Sequence, residues 1–286
     1  MKVLVFGRTG QLATELARRA PQGRGLTRLG REAADLEDPA ACARIVAESD
    51  ADIVINAAAH TAVDRAEEEE EARAHVINAD APAAMARAAA ARGLPFLHVS
   101  TDYVFDGAGD RPWRPDDAPA PLGAYGRTKL AGERGVAAAG GAHVILRTSW
   151  VFSAHGSNFV KTMLRVGPER GALRVVDDQV GGPTAAGDIA AALFAIAAAF
   201  AQGRGTSGVY YFAGQPFVSW AAFAREIFAR AGLDVAVESI PSSEYPTPAP
   251  RPRNSRLDGA ALMADYGIAP PDWRAALDGV LAELRT

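Results

Sequence analysis

Met1-Lys2-Val3-Leu4-Val5-Phe6-Gly7-Arg8-Thr9-Gly10-Gln11-Leu12-Ala13 opens the chain and sets its class. Four apolar residues in a row, with no polar alternation, read as a strand covered on both faces, the habit of a parallel sheet. Gly7 then permits a tight bend. Gly10 lets the backbone approach a pyrophosphate lying against the N–H groups of a helix start, and Ala13 is small enough for close helix packing. Strand, glycine turn and helix together point to dinucleotide binding, which the glycines alone would not justify.

Working outward, residues 25–29 read as a second strand. Gly30 and Arg31 follow where an NAD-specific protein usually carries an acid for the ribose hydroxyls. Arg28 and Arg31 instead offer guanidinium groups that suit a 2′-phosphate, although two solvated arginines on a loop would look the same. Asp35-Leu36 is expected in a short third strand, and Asp38-Pro39 to start a helix. Asp52-Ile53-Val54-Ile55-Asn56 is a buried strand. It ends in Ala57-Ala58-Ala59-His60-Thr61, small side chains at a strand's carboxyl end, where open α/β sheets bind ligands. The acidic residues 67–71 read as a solvated face of a helix that continues to residue 91. Pro95-Phe96-Leu97-His98-Val99-Ser100 is a further strand, and Thr101-Asp102-Tyr103 leave it at the same edge as the glycine turn. Val144-Ile145-Leu146-Arg147 repeats the pattern, with Trp150 past its end, either against a ligand or plugging the core.

These strands and helices predict an α/β fold, a Rossmann-type doubly wound parallel sheet with a smaller C-terminal substrate lobe. The expected division is a dinucleotide-binding domain over residues 1–150 and about 180–205, with residues 151–179 and 206–286 mainly in the lobe. Gly208-Val209-Tyr210-Tyr211-Phe212 fall in the latter. The 286 residues, 49% hydrophobic, supply ample material for a core. A net charge of -4, a pI of about 5.8 and no basic stripe argue against a nucleic-acid polymer or an anionic membrane as partner. A single cysteine, Cys42, excludes an internal disulfide framework, and no apolar run reaches a membrane span. A cytoplasmic enzyme is the expectation.

The candidate chemistry lies in Tyr125-Gly126-Arg127-Thr128-Lys129. A phenol and an amine four residues apart share one helix face. A free tyrosine titrates near ~10, and a neighbouring ammonium has the sign that would lower it. The histidines, His60, His75, His98, His143 and His155, show no zinc spacing. There is neither a Gly-x-Ser-x-Gly elbow nor a Walker lysine, so hydrolysis is not indicated.

Taken together, the Gly-x-x-Gly-x-x-Ala turn, Asn56 to Asp64 (NAAAHTAVD), Ser100 to Phe105 (STDYVF), Tyr125 to Glu133 (YGRTKLAGE), Arg147 to Phe152 (RTSWVF) and Arg251 to Leu257 (RPRNSRL) resemble the dTDP-4-dehydrorhamnose reductases. These are extended short-chain dehydrogenases/reductases. The resemblance spans nearly the whole chain. It implies reduction of the C4 ketone of dTDP-4-dehydro-β-L-rhamnose to dTDP-L-rhamnose by NADPH, with NADH the alternative, in nucleotide-sugar and cell-surface polysaccharide synthesis. Carried over, the proton donor is Tyr125, its helper Lys129 and the carbonyl-binding hydroxyl Thr101. Asp102 and Trp150, with Thr101, match substrate-contacting positions. Gly10, Gln11, Leu12, Asp35, Leu36, Ala59, His60, Thr61 and Val99 match cofactor-contacting ones, to which the reading of the turns adds Gly7 and Arg31; Tyr125 and Lys129 also face the cofactor. Some members form homodimers bridged by carboxylate-bound magnesium. Glu15 and Glu283 match, but Gly187-Asp188 does not clearly supply the third carboxylate, so no metal ligand is assigned. Two other readings keep these motifs: a reductase of another dTDP-4-keto-6-deoxysugar, and a non-catalytic NADP-binding regulatory subunit, against which the intact Thr101, Tyr125 and Lys129 speak.

Overall fold

Strand β1 (Val3–Phe6) sends alternate side chains to opposite sides, Val3 and Val5 into one apolar cluster and Leu4 and Phe6 into another. Helices must therefore cover both faces. The computed structural model describes residues 1–20 and 25–285. After β1 come α1 (Gln11–Arg18), β2 (Leu26–Leu29), α2 (Pro39–Glu48), β3 (Ile53–Asn56), α3 (Val63–Glu68), α4 (Glu71–His75), α5 (Ala81–Ala91), β4 (Phe96–Thr101), α6 (Ala124–Ala138) and β5 (His143–Thr148). Next are β6 (Val151–Phe152), α7 (Phe159–Arg170), β7 (Ala172–Val176), β8 (Val180–Gly181), β9 (Thr184–Ala185), α8 (Ala186–Ala201) and β10 (Gly208–Tyr211). The chain ends with β11 (Val218–Ser219), α9 (Trp220–Ala231), β12 (Ala236–Ile240), β13 (Asn254–Ser255), α10 (Ala260–Tyr266) and α11 (Trp273–Leu284).

Six strands form one parallel sheet in the order β10-β5-β4-β3-β1-β2. The chain leaves β1 toward β2 on one side and resumes at β3 on the other, so the direction reverses between β1 and β3. A crevice opens at such a reversal, outside the strands' carboxyl ends. Helices α1 and α8 pack on one face, and α2, α5 and α6 on the other. A separate apolar cluster joins Phe152, Val160, Phe223, Phe228, Trp273 and Leu277 of the C-terminal elements around the β7–β12 pair. No described helix is long and apolar enough to cross a membrane.

Three expectations are corrected. Gly208–Tyr211 is the edge strand of the main sheet, paired in parallel with β5, and does not belong to the lobe. Asp35 and Leu36 form no strand: the Asp35 carboxylate accepts the Glu37 N–H at 3.0 Å, a local turn that leaves too few residues before α2. The helix expected to run through the acidic stretch is broken into α3, α4, a π turn at Val76–Asp80 and α5. The acids have partners that pull them out of a regular face. Glu70 holds His60 Nε2 at 2.6 Å, and Glu67 accepts the Ala124 N–H at 2.6 Å, capping α6, whose own N-cap Gly123 has no side chain.

Candidate active site

At the carboxyl edge of β1, β3, β4 and β5 lies a cavity of about 810 Å³, large enough for a dinucleotide. Gly7, with φ of 123°, makes the turn out of β1 in a backbone conformation that side-chain-bearing residues rarely adopt. A Cβ on Gly10 would meet nothing within 4 Å, so the helix start is open to a ligand. Of the residues expected to touch a cofactor, Gly7, Gly10, Gln11, Leu12, Arg31, Asp35, Leu36, Ala59, His60, Thr61, Val99, Tyr125 and Lys129 line this cavity, and Arg28 does not. Thr101, Asp102 and Trp150 line it too.

Among the described residues, the buried side-chain polar atoms without a hydrogen-bond partner are His60 Nδ1, Ser100 Oγ, Asp102 Oδ2 and Thr148 Oγ1. All four residues border the cavity. Folded interiors leave few such atoms, and their concentration here suits a polar ligand that would satisfy them. The glycine turn, the bare helix start and these atoms fit a nicotinamide dinucleotide.

Thr101 ends β4 and donates its hydroxyl to Asp102 Oδ1 at 3.1 Å, while accepting the Tyr103 N–H at 3.2 Å. Asp102 is 2% exposed, and burial pushes its carboxyl up to about 6, with the hydroxyls of Ser255 and Thr101 working the other way. Helix α6 lies close enough to bring Tyr125 beside this pair because glycine stands at its contact points. A Cβ on Gly126 would collide with the Tyr103 carbonyl, and one on Gly132 with that of Asn78. The Tyr125 ring meets Tyr103 edge-on, centroids 5.4 Å apart.

The tyrosine–lysine pair departs from expectation. Lys129 is 2% exposed, and its Nζ donates to the Val99 carbonyl at 2.8 Å, with His98 Nε2 at 3.4 Å. Burial draws its pKa down to about 8, opposed by Glu133. Tyr125 is pushed up, first by burial and then by the Asp102 charge, with Thr101 acting in the opposite sense. The four-residue spacing does place both side chains in the cavity wall, but the ammonium reaches across to the Val99 carbonyl on β4. Fully buried His98, beside that ammonium and 3.1 Å from Asn56, is held well below the usual histidine range by burial and by Lys129.

Trp150 has a φ of 49° and stacks on Trp220 with centroids 3.6 Å apart. A Cβ on Gly181 would fall 2.7 Å from its ring, so β8 needs glycine there. It is half-buried, a wall of the cavity with its back packed. Trp150→Ala is expected to lower kcat/KM by about tenfold or more through loss of that wall. The stability cost should stay below the ~3–5 kcal/mol of truncating a fully buried tryptophan, because the ring is only half-buried. Unaltered kinetics with a large fall in Tm would make it a core residue only.

Sequence reading missed two supports. Asn78, fully buried in the π turn, ties the His60 backbone in both directions, at 2.8 and 3.1 Å, and donates to Thr128 on α6 at 3.1 Å. Its only signal was a polar residue in an alanine-rich helix. Ser255, buried beside Asp102, lay within a quoted motif without a role.

The candidate magnesium ligands do not suit that ion. Arg18 donates to Glu15, to Glu283 and toward His155, while Arg19 takes the other Glu15 oxygen at 2.9 Å. His155 Nε2 lies 2.9 Å from Glu15. Guanidinium groups already neutralise these carboxylates, and magnesium prefers an oxygen octahedron to imidazole.

Residues 1–286 match the family profile described as the RmlD substrate binding domain. The chain belongs to the dTDP-4-dehydrorhamnose reductase family. Relatives carrying that name include one from Sinorhizobium fredii, 42% identical over 96% of this chain and 94% of its own length. Another, from Escherichia coli, is 41% identical over 100% and 99%. Among solved structures, a family member from Clostridium acetobutylicum has a TM-score of 0.93 at 35% identity, covering 100% of both chains. One from Bacillus anthracis in complex with NADP has a TM-score of 0.92 at 32% identity, over 99% of each. The family is one of NAD(P)H-dependent oxidoreductases, and the doubly wound sheet seen here is its fold.

Proposed function

We infer that this chain is a dTDP-4-dehydrorhamnose reductase, reducing the C4 ketone of dTDP-4-dehydro-β-L-rhamnose to dTDP-L-rhamnose with NADPH. The observation that carries this is the convergence of Thr101, Tyr125 and Lys129 on one cavity wall beside the glycine turn. The relatives' names and the NADP-bound neighbour support the substrate and cofactor.

When bound, the reduced nicotinamide supplies a hydride. Thr101 donates a hydrogen bond to the carbonyl oxygen as charge develops on it, and Tyr125 delivers the proton. Lys129, fixed to β4, presents its ammonium to the ribose and steadies the phenolate left behind. Asp102 and Trp150 hold the sugar. Gly7, Gly10, Gln11 and Leu12 take the pyrophosphate; Arg31, Asp35 and Leu36 border the adenosine; Ala59, His60, Thr61 and Val99 flank the middle of the cofactor.

The test is a coupled assay with the epimerised ketosugar and NADPH, run beside other dTDP-4-keto-6-deoxysugars. Rapid NADPH oxidation with the first alone is the expected result. Faster turnover of a different ketosugar would reassign the substrate, and cofactor binding without turnover of any would favour a regulatory subunit.

A further inference from the structure

The end of β2 holds an acid that the sequence conceals. Gly30 has no side chain, yet Glu32 occupies the space one would take: a Cβ built on Gly30 would meet the Glu32 carboxyl carbon at 2.8 Å and Oε1 at 2.7 Å. The turn after the strand makes this so. The N–H groups of Ala33 and Ala34 both bond the Gly30 carbonyl, at 3.0 and 2.9 Å, and fold the segment back over the strand end. From there the Glu32 carboxylate holds the Arg8 guanidinium. A backbone hydrogen bond within Glu32 and the bond from Arg8 keep this acid below the usual carboxylate range, so it is ionised at neutral pH. Arg8 stands between the two glycines of the first turn and lines the cavity with Gly30 and Arg31. Neither Glu32 nor Arg28 is among the lining residues: Glu32 stands at the rim, on Arg8 and over Gly30, and Arg28 Nη1 donates to the Arg8 carbonyl at 3.2 Å.

We propose that Glu32 selects the cofactor: it accepts the adenosine ribose hydroxyls as a residue-30 acid would, and by holding Arg8 it withholds that guanidinium from a 2′-phosphate. NADH meets a carboxylate matched to two hydroxyl donors. NADPH brings a phosphate that must sit near that carboxylate and draw Arg8 away from it, with Arg31 as the cation already free to face it. Guanidinium–phosphate bonds are among the stronger charge-assisted pairs, so once Arg8 is released the balance turns. The chain's preference for NADPH is thereby tempered below what Arg31 and Arg8 alone would give. This rests on the dinucleotide reading of the cavity.

The experiment measures Kd for NADPH and for NADH on the full chain, by tryptophan fluorescence without ketosugar, at one fixed ionic strength. Wild type is compared with Glu32→Gln, which keeps the shape and removes the charge, and with the double variant Gly30→Asp/Glu32→Ala. Gly30 lies outside the left-handed region, so its backbone admits a side chain once Glu32 is shortened. Glu32→Gln should tighten NADPH and weaken NADH, moving the ratio of the two Kd values toward NADPH by roughly tenfold or more. The double variant, with its carboxylate returned at position 30, should restore a ratio near that of wild type. A Glu32→Gln ratio within about twofold of wild type, both cofactors still binding, overturns the proposal. So does a shifted ratio that the double variant leaves shifted, because Glu32 would then act through the fold of the turn. Failure of wild type to bind either cofactor would bring down the dinucleotide reading itself, and this proposal with it.

Discussion

Tyr125→Phe should cut kcat by about 10²-fold or more while leaving the Kd for NADPH nearly unchanged, because it removes the transferable proton and keeps the ring. The ring's contacts are with Tyr103 and the cavity wall, and phenylalanine reproduces them. Stopped-flow oxidation of NADPH with saturating ketosugar reads the loss, and fluorescence titration reads the binding. Near-normal turnover would mean that another group delivers the proton, and Asp102, partly protonated near neutrality, would be the first to examine. The pH profile gives an internal check. Lys129 is drawn down to about 8, so the free enzyme loses that positive charge as pH rises through this value. kcat/KM should therefore be sustained below about pH 8 and fall above it. A profile flat to pH 10 would remove Lys129's charge from the mechanism.

The largest effect on stability is expected from Arg147→Met. Arg147 at the end of β5 and Glu133 on α6 form a doubly bonded pair at 2.9 and 2.5 Å, both side chains 4% exposed. Tyr211 accepts a further bond from Arg147 at 2.8 Å, and the guanidinium lies over the Phe105 ring. Removing the arginine strands a buried carboxylate on the helix that carries Tyr125 and Lys129. Breaking such a pair costs about 3–5 kcal/mol. For a chain of this size, at ~2–4 °C per kcal/mol, Tm should fall by roughly 10 °C. Arg147→Met combined with Glu133→Leu should recover much of the loss, since an apolar replacement of both partners leaves nothing unpaired. A single variant as stable as wild type would show that water or another cation reaches Glu133.

Much of this was legible because the signal was local. Val3–Phe6 and the two glycines are one continuous stretch, and the strand ends at Asn56, Thr101 and Thr148 each announced themselves by an apolar run giving way to small or hydroxyl residues. The site residues read from those ends all border one cavity. What escaped depends on contacts between distant segments. Gly208–Tyr211 looks like any short strand, and only its pairing with β5 places it in the main sheet. The acids at 67–71 look solvated until the break after α3 turns Glu67 toward α6 and Glu70 toward His60. Lys129's partner is a backbone carbonyl, which no residue pattern encodes. The apparent lack of an acid after β2 was a matter of counting positions, whereas a turn lets Glu32 occupy the space above Gly30.

Two of the glycines on α6 bear on how such an enzyme can be re-engineered. Gly126 and Gly132 allow the helix to touch the backbone at Tyr103 and at Asn78, and so set the depth at which the phenol and the amine enter the cavity. Grafting Tyr-x-x-x-Lys onto another Rossmann scaffold would import the reactive groups without that depth. The transplant would have to carry both glycines, and the carbonyls they rest on, as a single module; a helix seated even a side chain's width farther out would hold the right residues at an unproductive height.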